Sequence, residues 1–375
     1  MSPPKGYHRG LDGLRGVAVL SVLLYHSSVI RGGFLGVDVF FTLSGFLITS
    51  LLLEEHAATG TVDIWRFYVR RALRLLPALL VFLVFWGGMF LALTPPSFWP
   101  RAGGYVLAVL CYVANWTVIY WMPIGIFGHT WSLAIEEQFY LVWPVALVLL
   151  VRLVRRPTRI AAVLTLAAAA SLVWRLSLVL AGASFRRTYA GTDTHADGLL
   201  VGAALAVLLA GGWLNVGASG GVRRRVAAVS AIGLAGLLLT AVPVPGHAYG
   251  VSALAALATA GIILHIGTQG SLVARLLESA WLVRIGWVSY GVYLWHFPVF
   301  VYVGVLRQPG EAAAPLFPST LAWAVTFAAA LASYFLIERP LLAYKARLVR
   351  PSLLPDPDTR LGAELSPAIP VQGRA

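Results

Sequence analysis

The stretch LLPALLVFLVFWGGMFLALT at residues 75–94 decides the fold, because it runs for twenty residues without a charged side chain. A helix needs about 20 apolar residues to cross roughly 30 Å of hydrocarbon, so this stretch predicts a transmembrane helix. Nine further blocks meet or approach the same length: 14–30, 34–53, 131–151, 160–181, 194–210, 226–243, 249–267, 286–306 and 318–337. The sequence therefore predicts an all-α, polytopic membrane protein with about ten transmembrane helices.

The composition agrees with a chain that lies almost wholly in the membrane. Of its 375 residues 59% are hydrophobic and 11% are charged, against about 25% charged in a soluble domain. A net charge of +13 would suggest nucleic acid in a soluble protein. Here the arginines lie between apolar blocks, where the positive-inside rule places them. We therefore expect membrane lipid, and no nucleic acid, as a partner.

The basic loops predict the orientation of the chain. An eleventh apolar block, 104–121, contains Asn115 and several aromatic residues. If it does not span, the basic segments alternate cleanly and lie on one side of the membrane: 66–74, 152–159, 223–225 and 275–284. This predicts ten spans with both termini cytoplasmic, and 104–121 as a re-entrant or outer-face segment. We expect residues 1–345 to form the membrane domain and residues 346–375 to be a disordered cytoplasmic tail.

The first predicted span contains two ionisable residues, Arg15 and His26. Eleven residues at about 100° each place them on one helix face, roughly 16 Å apart along the axis. In one interpretation Arg15 is an interfacial anchor and His26 a hydrogen bonder between helices. In the other, His26 is a base at one end of a polar channel whose mouth carries Arg15, since the pKa of histidine lies near working pH. Asp38, close by in the second span, either caps that helix or orients the His26 ring.

A row of arginines precedes the third span. Arg66, Arg70 and Arg74 share one helix face, and Arg71 lies three residues before Arg74. The row could bind anionic lipid headgroups at the membrane surface. Alternatively, the guanidinium groups grip the phosphates of a soluble cofactor. The sequence alone leaves both interpretations open.

The fourth span begins with a polar stripe. Ser132, Glu136 and Tyr140 follow each other at four-residue spacing on one face, and Glu137 adjoins Glu136. Two adjacent carboxylates cannot both face lipid. The stripe therefore predicts that this helix lines an internal cavity.

Two further polar clusters lie in the second half of the chain. Asp193-Thr194-His195-Ala196-Asp197 contains three potential metal ligands in about one turn. Such residues rarely point at a single ion without other ligands, and we expect no metal. Ser289-Tyr290 is followed by Tyr293 and His296, just before Pro298. An aromatic belt at the membrane interface explains the tyrosines but not His296.

Together these stretches resemble the acyltransferase family 3 membrane enzymes, which O-acylate sugars and other exported molecules. The resemblance runs in family order from about residue 10 to residue 340. The matching residues are Gly13-Leu14-Arg15-Gly16 with His26; Gly36-Val37-Asp38-Val39-Phe40-Phe41 with Ser44-Gly45-Phe46; Arg71 and Arg74 before Pro77; Thr130-Trp131-Ser132-Leu133 with Glu136 to Tyr140; Ser289-Tyr290 with Tyr293-Leu294 and His296; and Glu338-Arg339-Pro340.

The resemblance implies an enzyme of the bacterial plasma (inner) membrane. It would take an acyl group, acetyl as the expected one, from cytoplasmic acyl-CoA to a hydroxyl of a glycan, glycolipid or glycosylated metabolite. His26 would be the catalytic histidine, with Arg15, Arg71 and Arg74 serving the donor. The alternative is a transporter or flippase that uses the same polar core as a path for a polar or glycosylated substrate.

We also predict roles for the other site residues. Asp38 or Glu136 would hold the His26 ring during proton transfer. Ser132 or Tyr290 would polarise the thioester carbonyl with a hydroxyl group. His296 is placed with the donor-binding residues.

Overall fold

The computed structural model describes residues 8–121, 125–214, 220–240, 248–266, 272–306 and 316–341, and within them every regular element is a helix. The predicted tail at 346–375 lies outside the described residues. The α-helices are α1 (Arg9–His26), α2 (Gly36–Thr59), α3 (Ile64–Leu93), α4 (Trp99–Leu110), α5 (Ala114–Tyr120), α6 (Trp131–Val154), α7 (Pro157–Leu180), α8 (Phe185–Ala190), α9 (Thr192–His195), α10 (Asp197–Ala210), α11 (Gly220–Thr240), α12 (Ala248–His265), α13 (Leu272–Leu277), α14 (Ala280–Trp287), α15 (Ser289–Val303) and α16 (Leu316–Ser333).

Five helical segments in the described part of the chain are long and apolar enough to cross a membrane. They are Gly33–Thr59, Ile64–Leu93, Gly125–Val154, Pro157–Leu180 and Ser319–Leu341. Along α7, Leu166, Val173 and Leu180 are 69%, 64% and 89% exposed. Large apolar side chains exposed in rows are typical of a surface that something else covers, as lipid does for a membrane-spanning helix. The chain is a multi-pass membrane protein, and the count of ten spans stays a prediction.

The apolar block 104–121 is not one continuous helix. It is divided between α4 and α5, which break at Cys111–Val113, where Tyr112 has a left-handed backbone with φ of 53°. With 12 and 7 residues, the two helices are about 18 and 10 Å long, and neither crosses roughly 30 Å alone. The side chain of Asn115 supports α5, because its Nδ2 donates to the carbonyl of Ala190 at 3.1 Å.

The arginine row belongs to a longer helix than its amphipathic pattern indicates. It forms the first turns of α3, whose N-terminus is capped by the Asp63 side chain accepting from the Arg66 N–H at 2.9 Å. Pro77 lies inside the same helix. The helix therefore continues from the basic row directly into the apolar segment. Arg71 and Arg74 lie in the last turn before that segment.

Close packing of α2 on α10 positions the polar residues between them. A Cβ atom at Gly45 would lie 1.9 Å from the carbonyl oxygen of Leu199, and one at Gly202 would lie 2.0 Å from that of Thr42. Only glycine permits the two backbones to approach so closely. This contact brings the α9–α10 junction, which carries His195, against the start of α2.

Candidate functional site

A cavity of about 580 Å³ lies between α1, α2, α3, α6 and α15. Such a volume falls within the roughly 300–1,000 Å³ typical of small-molecule sites. Six of the nine sequence-predicted site residues line it: Arg15, Arg71, Arg74, Ser132, Glu136 and Tyr290. The other three, His26, Asp38 and His296, lie outside its wall. The structure therefore gathers most of the predicted residues around one space.

One part of the cavity wall carries the arginines. Arg71 donates through Nε and Nη2 to Glu137 Oε1, at 3.2 and 3.0 Å. Its guanidinium carbon also lies 3.2 Å from the centre of the Tyr140 ring. A carboxylate and an aromatic face thus hold Arg71 in one orientation. Arg15 and Arg74 line the same cavity together with carboxylates, and guanidinium groups suit an anionic ligand.

The polar stripe of α6 faces the cavity as its spacing predicts. Glu136 Oε1 accepts from Ser44 Oγ at 2.7 Å, which ties α6 to α2. Tyr290 lies across the cavity on α15, and its hydroxyl donates to the carbonyl of Leu75 on α3 at 3.2 Å. These hydrogen bonds satisfy polar groups that lipid could not, as a membrane interior requires.

Two hydroxyl groups lie where α6 and α15 meet in the cavity wall. The oxygens of Ser132 and Tyr293 are 2.6 Å apart, and the Tyr293 hydroxyl lies 2.9 Å from the carbonyl of His129. Ser132 Oγ also lies 3.3 Å from the carbonyl of His129, so the single hydrogen of each hydroxyl can go either to that carbonyl or to the other hydroxyl. This hydroxyl pair lies between the cavity and a cluster of three histidines.

A cluster of three histidines lies behind the hydroxyl pair. His26 Nδ1 is 3.1 Å from His296 Nε2, and the two ring centres are 5.1 Å apart. The ring of His129 is 5.4 Å from that of His296, and its Nε2 donates to the carbonyl of Leu294 at 3.0 Å. His129 and His296 are buried, whereas His26 is half-buried. The histidines thus connect the cavity region to the C-terminal end of α1.

The sequence reasoning assigned no role to His129 or Tyr293. Each had a signal in its spacing, because His129 lies three residues before Ser132 and Tyr293 three residues before His296. Residues three apart in a helix are neighbours on one face. The sequence had already grouped Tyr293 with His296, and His129 could have been grouped with Ser132 in the same way.

The expectation that Asp38 or Glu136 holds the His26 ring is wrong. Asp38 Oδ1 lies 2.8 Å from His195 Nε2, and Glu136 bonds Ser44, while the ring of His26 bonds His296. The reason is the close packing of α2 on α10, which places His195 opposite Asp38. His195 Nδ1 donates to the carbonyl of Tyr189 at 2.6 Å, so both ring nitrogens of His195 are engaged.

The two aspartates next to His195, Asp193 and Asp197, each bond different partners. Arg175 Nη2 donates to Asp197 Oδ2 at 2.7 Å inside the protein. Arg187 and Trp174 donate to Asp193. Partial burial alone would raise the pKa of Asp193, but these hydrogen bonds outweigh it and hold that pKa below its ordinary value. In the described ranges no group of three His, Cys, Asp or Glu side chains is placed to hold a metal ion.

Known proteins are similar to this chain over the residues that contain the site. A family model described as "Acyltransferase domain" matches residues 8–339. A protein of Staphylococcus aureus strain MSSA476 named "Putative O-acetyltransferase" is 34% identical over 371 residues, covering 93% of this chain and 60% of that protein. "O-acetyltransferase OatA" of Staphylococcus aureus strain NCTC 8325 is 33% identical over 355 residues, covering 89% of this chain and 57% of its own length. The chain thus spans about 60% of the length of the curated relatives it matches. No solved structure matches the chain.

Proposed function

The chain belongs to the acyltransferase family, as its motifs predict, and we propose that it moves an acetyl group from acetyl-CoA to a hydroxyl group. The acceptor would be a glycan, glycolipid or glycosylated metabolite. The names of the relatives support an acetyl group and an oxygen acceptor. One observation carries the proposal: a single cavity joins three arginines to a hydroxyl pair beside a histidine cluster.

The arginine side of the cavity would bind the donor. Coenzyme A carries phosphate groups, and guanidinium groups pair with phosphate oxygens in a fork. Arg15, Arg71 and Arg74 would hold these phosphates near the cytoplasmic face. The acyl end would then reach toward Ser132 and Tyr293, because these hydroxyls lie at the junction with the histidines.

The transfer itself needs a base and a group that stabilises the developing oxyanion. His26 would take the proton of the acceptor hydroxyl as its oxygen forms a bond to the thioester carbonyl carbon. The Ser132 hydroxyl would turn its single hydrogen from its partners in the protein to the carbonyl oxygen as negative charge develops there. The carbon–sulfur bond then breaks, and the departing thiolate takes up a proton. The products are an ester and free coenzyme A.

In the predicted topology, the two substrates would approach from different sides of the membrane. We propose ten spans in the bacterial inner membrane, both termini cytoplasmic, and 104–121 as a re-entrant segment. Arg15, Arg71 and Arg74 would then open to the cytoplasm, where acetyl-CoA is found. The half-buried His26 at the far end of α1 would meet the acceptor near the outer face.

Radiolabelled acetyl-CoA added to membranes that contain the protein tests this function against transport. We expect alkali-labile label in envelope glycans or secreted glycosylated molecules, because an ester bond has formed. Membranes without the protein provide the background. Movement of unmodified substrate across the membrane, without label in any product, would favour the transporter or flippase.

Ser132→Ala should lower the turnover number about 10²-fold, because removing one donor to an oxyanion commonly costs 10²–10³-fold. The apparent KM for acetyl-CoA should change little, since Ser132 would act on the reacting carbonyl and not on the phosphates. Ser177→Ala is the matched control, because Ser177 is exposed on α7 and donates to the carbonyl of Trp174 in its own helix. Turnover of Ser132→Ala equal to that of this control would remove Ser132 from the mechanism.

A further inference from the structure

We infer that His296 is a positioning residue: it fixes the His26 ring in the tautomer that leaves Nε2 free to take a proton. The inference rests on the proposed function and assigns to His296 a role other than donor binding. It follows from the hydrogen-bonding chemistry of four atoms. Those atoms are the carbonyl oxygen of Tyr293, the two ring nitrogens of His296, and Nδ1 of His26.

The backbone determines which nitrogen of His296 carries the hydrogen. His296 Nδ1 lies 2.5 Å from the carbonyl oxygen of Tyr293. A carbonyl oxygen can only accept, so Nδ1 must donate. Neutral imidazole has a single N–H, and His296 Nε2 is therefore an acceptor.

The surroundings of His296 favour this neutral form. The side chain is 0% exposed, and the rings around it are His26, His129, Tyr293, Phe297 and Phe300. None of these neighbours carries a negative charge that would pair with an imidazolium. A buried cation without such a partner is costly.

The acceptor on His296 then favours one tautomer of His26, whose ring also lies near the backbone carbonyl of Val22. His26 Nδ1 lies 3.1 Å from His296 Nε2, and an acceptor requires a donor opposite it. His26 Nδ1 must carry the hydrogen, which leaves the lone pair on Nε2. When His26 takes up a proton at Nε2, its Nδ1–H still donates to His296. A carboxylate does the same for the histidine of serine proteases; here a neutral imidazole does it.

The residue pair His296→Gln and His296→Asn tests this role. Both replacements are uncharged amides, but they end at different positions. The oxygen of Gln reaches about as far as Nε2 and can accept from His26, whereas the Asn amide ends near the position of Nδ1. We therefore expect Gln to keep turnover within about tenfold of the unchanged protein, and Asn to lose about 10²-fold or more, the contribution of a well-placed base. The apparent KM for acetyl-CoA should stay within a few-fold in both.

The measurement is the initial rate of acetyl transfer by purified protein over a range of acetyl-CoA concentrations. Folding of each variant is checked by size-exclusion profile and thermal unfolding in detergent. Equal turnover of the Gln and Asn variants would overturn the inference. So would a large rise in the donor KM at unchanged turnover, which would return His296 to donor binding. Failure of the proposed function itself looks different: the unchanged protein would then transfer no acetyl group, or His26→Gln would keep full turnover.

Discussion

His26→Gln should lose about 10²–10⁴-fold in turnover while the protein still folds and binds acetyl-CoA. Glutamine keeps a polar amide near the position of Nε2, where the acceptor hydroxyl would bind. It cannot take a proton at working pH, and a general base contributes a factor of this size. The measurement is the rate of ester formation at saturating acetyl-CoA, with donor binding measured separately.

A purely structural role for His26 predicts the opposite result. If the residue only joins α1 to α15, His26→Asn, whose amide ends near the position of Nδ1, preserves the hydrogen bond and the activity, and His26→Ala fails through loss of folded protein. His56→Gln is a suitable control, because His56 lies in the last turn of α2 and does not line the cavity. Turnover of His26→Gln above about a tenth of the unchanged value would contradict the base assignment. Glu136, which faces the cavity, would then be the next candidate.

Arg74→Gln should raise the apparent KM for acetyl-CoA about 10- to 100-fold with little change in turnover at saturation. The size follows from a hydrogen bond to a charged group, worth about 1.5–3 kcal/mol. Arg70→Gln is the matched control: Arg70 belongs to the same row but pairs with Glu55 at 3.1 Å and does not line the cavity. An equal effect of both variants would favour the lipid-anchor interpretation of the arginine row.

Arg71→Gln should raise the donor KM as well, but it also removes the partner of Glu137. The side chains of this pair are only 15% and 16% exposed, and breaking a buried pair is destabilising because it leaves an unpaired charge. Glu137→Gln separates the two effects, since it breaks the pair and keeps the guanidinium. We expect Glu137→Gln to leave the donor KM unchanged or lower. A KM increase as large as that of Arg71→Gln would show that the pair, and not the arginine, is needed.

The sequence predicted well those parts of the site that depend on helical spacing within a membrane. Ser132, Glu136 and Tyr140 recur every four residues, and in lipid a polar stripe of this kind must face the protein interior. The structure accordingly places all three in the cavity wall. Arg15 joins them because an arginine inside an apolar helix is subject to the same constraint.

Contacts between distant segments could not be read in the same way. Asp38 bonds His195, 157 residues away, because Gly45 and Gly202 let α2 and α10 approach. The bond between His26 and His296 joins residues 270 apart. The spacing of residues along one helix does not show which other helix will pack against them. The sequence also did not show the break between α4 and α5 at Tyr112, because the block 104–121 contains no proline and no glycine after its first residue.

The most direct test of the central claim is product formation by the purified protein and its His26→Gln variant in liposomes. Acetyl-CoA is supplied with an envelope glycan fraction, and alkali-labile acetyl ester and free coenzyme A thiol are measured together. We predict one thiol released for each ester formed by the unchanged protein, and at least about a 10²-fold lower rate for His26→Gln. Equal ester formation by the two proteins, or thiol release without any ester, would contradict the account.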